Sequence, residues 1–123
     1  MTDPFFGAAG TLTAIWLLVH LFIGGREIVR PFIRDSALTP TARDTLYQCW
    51  HFTTAAIACM AAFFLLASVS DERVFATCAT LLAGSYFLSG VGLVTSLGES
   101  HARLPQGWLF LPVTALGIAG HLL

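Results

Sequence analysis

His20, His51, Glu99 and His101 are the side chains of this sequence best suited to act together. His20 lies about one helical turn before the end of the first apolar stretch and His51 about one turn into the second, so the two share a depth. Glu99 and His101 follow the third stretch at the same end. Neutral imidazole is a ready metal ligand where a charge would be costly, and imidazole with carboxylate suits iron, zinc, manganese or copper. Two histidines from facing helices could also supply both axial ligands of one haem b. Without a metal, the same groups could move protons on a lipid-soluble substrate. The four residues form a constellation and not a motif, since the chain has neither H-E-x-x-H nor E-x-x-H. Taken singly, each histidine is more simply a hydrogen-bonded residue between helices. Trp16 and Glu27 share a helical stripe with His20, and Tyr47 and Thr54 share one with His51, which makes these four the expected supporting neighbours.

The elements that position them follow from composition. Of 123 residues, 56% are hydrophobic and 11% charged, and the mean hydropathy is +0.78, which makes lipid the expected solvent. The net charge of −1 lacks the basic face that a nucleic-acid partner requires. Cys49, Cys59 and Cys78 fall inside apolar stretches without a C-x-x-C pair, as small helix residues do. Apolar segments at about 5–24, 49–69, 74–97 and 107–123 each approach the roughly 20 residues that carry a helix across hydrocarbon. The expected fold is therefore all-α, a single four-span bundle running up-down-up-down, with helices over about 5–29, 40–69, 72–97 and 106–123. The sequence before the first span is M-T-D-P-F-F, not a basic leader, so this span is expected to be retained.

Pro31 is expected to end the first helix. Thr39 with Pro40 is expected to open the second, and Ser70, Asp71 and Glu72 the third. Pro105 and Gly107 mark the entry to the fourth, with Pro112 as a kink point. Arg26, Arg30, Arg34 and Arg43 flank the first connection and Arg103 sits in the third, whereas the other face holds only Arg73. That bias puts the arginine-rich end in the cytoplasm and both termini outside it. The four clustered arginines also suit anionic lipid headgroups. Glu27 with Arg30, and Glu99 with Arg103, have the spacing of local ion pairs.

Stripes at three- to four-residue spacing suggest which faces meet. They comprise Thr13, Trp16, His20, Gly24 and Glu27; then Asp44, Tyr47, His51, Thr54 and Ala58; then Ser85, Ser89, Gly92, Ser96 and Glu99. On this pattern His51 points inward to His20, Trp50 is a headgroup-level anchor, and His121 sits alone at the far interface. Ala76, Ala79, Ala83 and Gly90 would form an outward face toward other subunits.

The run W-L-L-V-H-L-F-I-G-G-R at 16–26 with P-F at 31–32 resembles the first helix of small four-helix bacterial membrane proteins that bind haem b, including the membrane protoporphyrinogen oxidases. That resemblance implies a bound haem b. The oxidases are expected also to use a lysine, and this chain has none. L-Y-Q-C-W-H at 46–51 and P-Q-G-W-L-F-L-P at 105–112 resemble uncharacterised proteobacterial inner-membrane proteins, which implies a compartment alone, the bacterial inner membrane. The functional expectation is a His/Glu site within the membrane at its cytoplasmic side, holding haem b or a transition metal for redox chemistry. The alternatives are an accessory or assembly subunit, as a homo-oligomer or within a larger complex, and a small-molecule transporter.

Overall fold

A computed structural model describes residues 3–123. Asp3 caps the first helix, its Oδ1 accepting from Phe5 N at 2.9 Å and Phe6 N at 3.1 Å, with Pro4 in the first turn, where no intrahelical N–H bond is lost. The helix then runs from Pro4 to Ile33 in three registers: α1 (Pro4–Val19), a wider π segment (His20–Val29) and a last turn, α2 (Arg30–Ile33). Pro31 therefore does not end the helix as expected. A proline in an α-helix interior lacks a donor and its ring clashes with the carbonyl four residues back. The widened segment directly before Pro31 moves that ladder to longer spacing, as in the bond from Arg30 N to Gly25 O.

Thr39 opens α3 (Pro40–Val69), its Oγ1 accepting from Ala42 N at 3.2 Å. At 30 residues α3 is about 45 Å long, more than the hydrocarbon thickness of about 30 Å, so its first turns extend beyond the apolar part. α4 (Arg73–Ser96) follows after three residues, with no side-chain cap at its start. It closes in a Schellman motif, Gly98 N bonding to Thr95 O and Glu99 N to Val94 O, both at 3.1 Å. The chain then turns back on α4 so closely that a Cβ on Gly107 would lie 2.9 Å from Gly90 C. α5 (Phe110–Leu122) is shorter than the expected fourth span, at 13 residues, because Pro105–Leu109 is spent in turns. Pro112 falls in its first turn and so interrupts no ladder.

Neighbouring helices are antiparallel around a ring. Asp3 N bonds to Ser68 O while Gly24 meets Trp50, which fixes α1 against α3. Phe63 packs on Phe75 across the α3–α4 turn. Gly117 lies beside Thr80, and Gly120 against Phe6, placing α5 between α4 and α1. The result is an up-down-up-down all-α bundle with Asp3, Arg73 and His121 at one end. Arg26, Arg30, Arg34, Arg43 and Arg103 belong to the other. The long helices Pro4–Ile33, Pro40–Val69 and Arg73–Ser96 are each long and apolar enough to cross a membrane.

The core of this bundle mixes small and large apolar residues, while many large ones face outward. The core holds Ala9, Ala67, Ala76, Ala79 and Ala83 with a few large residues, Phe6, Ile57, Met60, Phe64, Phe110 and Val113. Leu18, Phe22, Leu65, Leu66, Leu81, Leu88 and Leu93 face outward. Small residues let helices approach where the surroundings are as apolar as the interior. The third stripe is consequently reversed from expectation: Ser85, Ser89, Gly92 and Ser96 are exposed, whereas Ala76, Ala79 and Ala83 are fully buried. Ser85 Oγ and Ser89 Oγ donate to their own helix, to Leu81 O and Ser85 O. Hydroxyls satisfied in this way have no need of a neighbouring helix.

Candidate functional site

Between the π segment, α3, α4 and the α4–α5 connection lies a pocket of about 650 Å³ at the arginine-rich end, within the range of small-molecule sites. Helix one contributes Trp16, His20, Gly24 and Glu27, one turn apart. α3 contributes Trp50, Thr53 and Ile57, and α4 contributes Tyr86, Ser89 and Gly90. The connection closes the pocket with Arg103, Gln106 and Gly107, and α5 with Phe110.

His20 is held from two sides. Its ring stacks on Trp50 with centroids 3.8 Å apart and planes 13° from parallel. Its Nε2 lies 2.8 Å from Thr54 Oγ1, and Thr54 Oγ1 in turn donates to Trp50 O at 2.9 Å. A threonine hydroxyl has one proton. With that proton on Trp50 O, His20 Nε2–H is the donor to Thr54, and Nδ1 keeps the lone pair. Gly24 makes the stack possible, since a Cβ there would lie 2.5 Å from Trp50 Cη2.

Trp50 and His51 exchange the places expected of them. Trp50 turns inward onto His20, and His51 is exposed, edge-on to Tyr47 with centroids 4.5 Å apart. Consecutive residues on a helix point about 100° apart, so only one can face helix one. The larger ring gains more from burial, and its stack on imidazole adds to that. His51 and Tyr47 consequently do not line the pocket, whereas Trp16, His20 and Glu27 do, with Thr54 anchoring His20.

Glu99 and His101 are used locally. Glu99 Oε2 pairs with Arg103 Nη1 at 3.2 Å, the expected i,i+4 bridge. His101 Nδ1 accepts from Trp108 Nε1 at 3.1 Å, and its Nε2 lies 3.1 Å from Thr95 Oγ1. Because Thr95 Oγ1 donates to Val91 O, His101 Nε2–H must donate to Thr95, so both ring nitrogens tie the connection to α4. The expected quartet of His20, His51, Glu99 and His101 is thus not assembled. Among the described residues no three His, Cys, Asp or Glu side chains are grouped closely enough to hold a metal ion.

Of the charged groups, Glu27 forms no ion pair among the described residues, so its expected bridge to Arg30 is absent. The π register alters the three-residue spacing that such a pair requires. Arg26, Arg30 and Arg34 are exposed, and Arg43 lies 3.6 Å from Asp44. At the other end His121 is not alone but packs edge-on to Phe6, 5.2 Å away.

Tyr86 and Phe110 are pocket residues that the stripes did not single out. They stack with centroids 5.0 Å apart, and the Tyr86 hydroxyl has no hydrogen bond among the described residues. The sequence did hold a signal for Tyr86, which continues the small-residue series Ala76, Ala79, Ala83 at helical spacing and ends at Gly90. Trp16 Nε1 is buried without an acceptor, a costly state in apolar surroundings. Comparison with family models, curated proteins and solved structures finds no match to this chain.

Proposed function

We propose that this chain is a multi-pass membrane protein, with its arginine-rich end in the cytoplasm, that binds a lipid-soluble small molecule in the pocket beside His20. The observation that carries this reading is the pocket itself: it lies where the apolar spans meet their arginine flank, and aromatic and aliphatic side chains make up most of its wall beside His20. The arginine bias sets the orientation, and the outward leucines and phenylalanines suit lipid contact. A bacterial inner membrane is the compartment that matches the sequence pattern.

Haem b or a transition metal is a narrower version of the same proposal. It keeps His20 and Glu27 as the ligand candidates on the wall, and for a nitrogen ligand it draws on His20 Nδ1, because Nε2 is committed to Thr54. Solvent extraction of protein purified in mild detergent, with mass spectrometry, an absorbance spectrum and elemental analysis, tests both versions. A small molecule retained by wild type and lost from His20→Leu supports the pocket. A Soret band or a stoichiometric metal supports the narrower version, and its loss in His51→Ala would show that the outward orientation of His51 is wrong. Nothing retained, with no saturable binding of any lipid-soluble probe, removes the proposal and leaves an accessory subunit ahead.

A further inference from the structure

We infer that helix one carries on its outer side a site for an anionic phospholipid, an inference that rests on the membrane reading of the chain and not on the pocket. Leu18, Phe22, Arg26, Arg30 and Arg34 follow one another at four-residue spacing, and all five are exposed. A step of four residues slightly exceeds an α turn and falls slightly short of a π turn, so the five stay on one side of the helix through both registers. Phe22 is 72% exposed and Leu18 54%, apolar surface that acyl chains would cover. About 20 residues span the hydrocarbon, and counted from Pro4 they end at Ile23, so the three arginines begin where the headgroups do.

The positive charge on this side is uncompensated. Arg26, Arg30 and Arg34 form no ion pair among the described residues, whereas the other two arginines of the same end do, Arg43 with Asp44 at 3.6 Å and Arg103 with Glu99 at 3.2 Å. The carboxylates nearest in sequence are placed otherwise: Glu27 lines the pocket, and Asp35 Oδ1 accepts from Ala37 N at 2.8 Å. Guanidinium binds phosphate through paired N–H donors, and helix residues four apart stand about 5–6 Å from each other at Cβ, close enough for two long side chains to hold one phosphate. A phosphodiester with acyl chains meets the arginines and the apolar surface together. A zwitterionic lipid adds a cation of its own at the same place, and a free phosphate leaves Leu18 and Phe22 uncovered.

The test is native mass spectrometry of the delipidated full chain in nonionic detergent, titrated with dioleoylphosphatidylglycerol and, in parallel, with dioleoylphosphatidylcholine. The first phosphatidylglycerol adduct should form at a lower concentration than the first phosphatidylcholine adduct. One arginine at the membrane surface strengthens binding to anionic lipid about fivefold, so Arg26→Gln and Arg30→Gln should each weaken that adduct by this factor, and Phe22→Ser should weaken both lipids. Arg43→Gln removes the same charge from the same end and should leave the adduct unchanged. Equal affinity for the two lipids shows no headgroup selection, and a loss in Arg43→Gln as large as in Arg26→Gln shows attraction by net charge alone; either overturns the inference. Displacement by inorganic phosphate at the lipid's own concentration would assign the arginines to a soluble ligand and overturns it too. A chain that binds neither lipid also overturns it, and if that chain stays in solution once detergent is removed, the membrane reading falls with it.

Discussion

Thr54→Val tests the contact on which the pocket geometry depends. The pair from His20 Nε2 to Thr54 Oγ1, at 2.8 Å, is the one side-chain hydrogen bond between helix one and α3 among the described residues. Valine keeps the shape of threonine and removes the hydroxyl, leaving His20 Nε2–H to face apolar surface. In water-soluble cores an unsatisfied donor of this kind costs about 1–3 kcal/mol. Between membrane helices the measured coupling averages about 0.6 kcal/mol and reaches about 1.7, because the unfolded chain in lipid also finds partners. His20 is half-buried near a span end, so the lower figures apply, and a coupling of about 0.6–1.5 kcal/mol is expected. A single mutant would mix this with the lost bond from Thr54 to Trp50 O and with the changed ring stack. The assay is therefore a double-mutant cycle with Thr54→Val and His20→Leu, followed by unfolding in mixed micelles of increasing sodium dodecyl sulfate. Thr54→Ser should retain most of the stability lost in Thr54→Val. Additive single mutants, within about 0.3 kcal/mol, would refute both the bond and the tautomer assigned from it.

Adjacent glycines give a sharper contrast. Gly24→Leu should destabilise by about 1–3 kcal/mol through overpacking against Trp50, while Gly25→Leu, with open space around its Cβ, should be neutral or stabilising; equal effects in the same unfolding assay would contradict the Trp50 seat. His101→Phe removes two hydrogen bonds, to Thr95 and Trp108, and should speed hydrogen exchange at Ser100–Gly107 without altering that of α3; unchanged exchange at the connection would show that His101 does not hold it. In a background without the native cysteines, Ala37→Cys should react with a membrane-impermeant maleimide from the cytoplasmic side and Asp71→Cys from the opposite side, and the reverse pattern would overturn the orientation.

The parts of the fold that sequence conveyed are those fixed by solvent and by local chemistry. Apolar length located the three long helices, because a spanning helix must be long and uncharged whatever it packs against. Thr39–Pro40 located the start of α3, because a cap is a contact between residues three apart. The Glu99–Arg103 bridge was legible for the same reason. Pro31 misled because the rule that ends a helix at proline assumes α register, and ten residues of π register precede it here. The fourth span was overdrawn because residues 107–109 counted toward apolar length while their backbone was taken up by turns.

The facing of each helix was far less legible, and the reason lies in the solvent. In water, an apolar stripe marks the buried side of a helix. In lipid both sides are apolar, so a rule that takes polar residues as the inner face fills the gap, and that rule treats every hydroxyl as one seeking a partner on another helix. Serine and threonine in this bundle mostly bond to their own preceding turn, which frees them to face outward. The reliable mark of an inner face is instead a side chain whose polar atoms cannot be satisfied within its own helix. His20 meets this test through Thr54 on α3, and Trp16 meets it through an indole N–H that no described residue accepts. Alanine marks the same face by size, as Ala76, Ala79 and Ala83 do. Trp50 was assigned to the headgroups on residue type alone, although one of two adjacent rings had to turn inward, and the glycine opposite, Gly24, fits the indole and would have no such role against the imidazole of His51. Reading a small residue on one helix as the imprint of a large one on its neighbour would have placed Trp50 correctly, and with it the pocket wall beside His20.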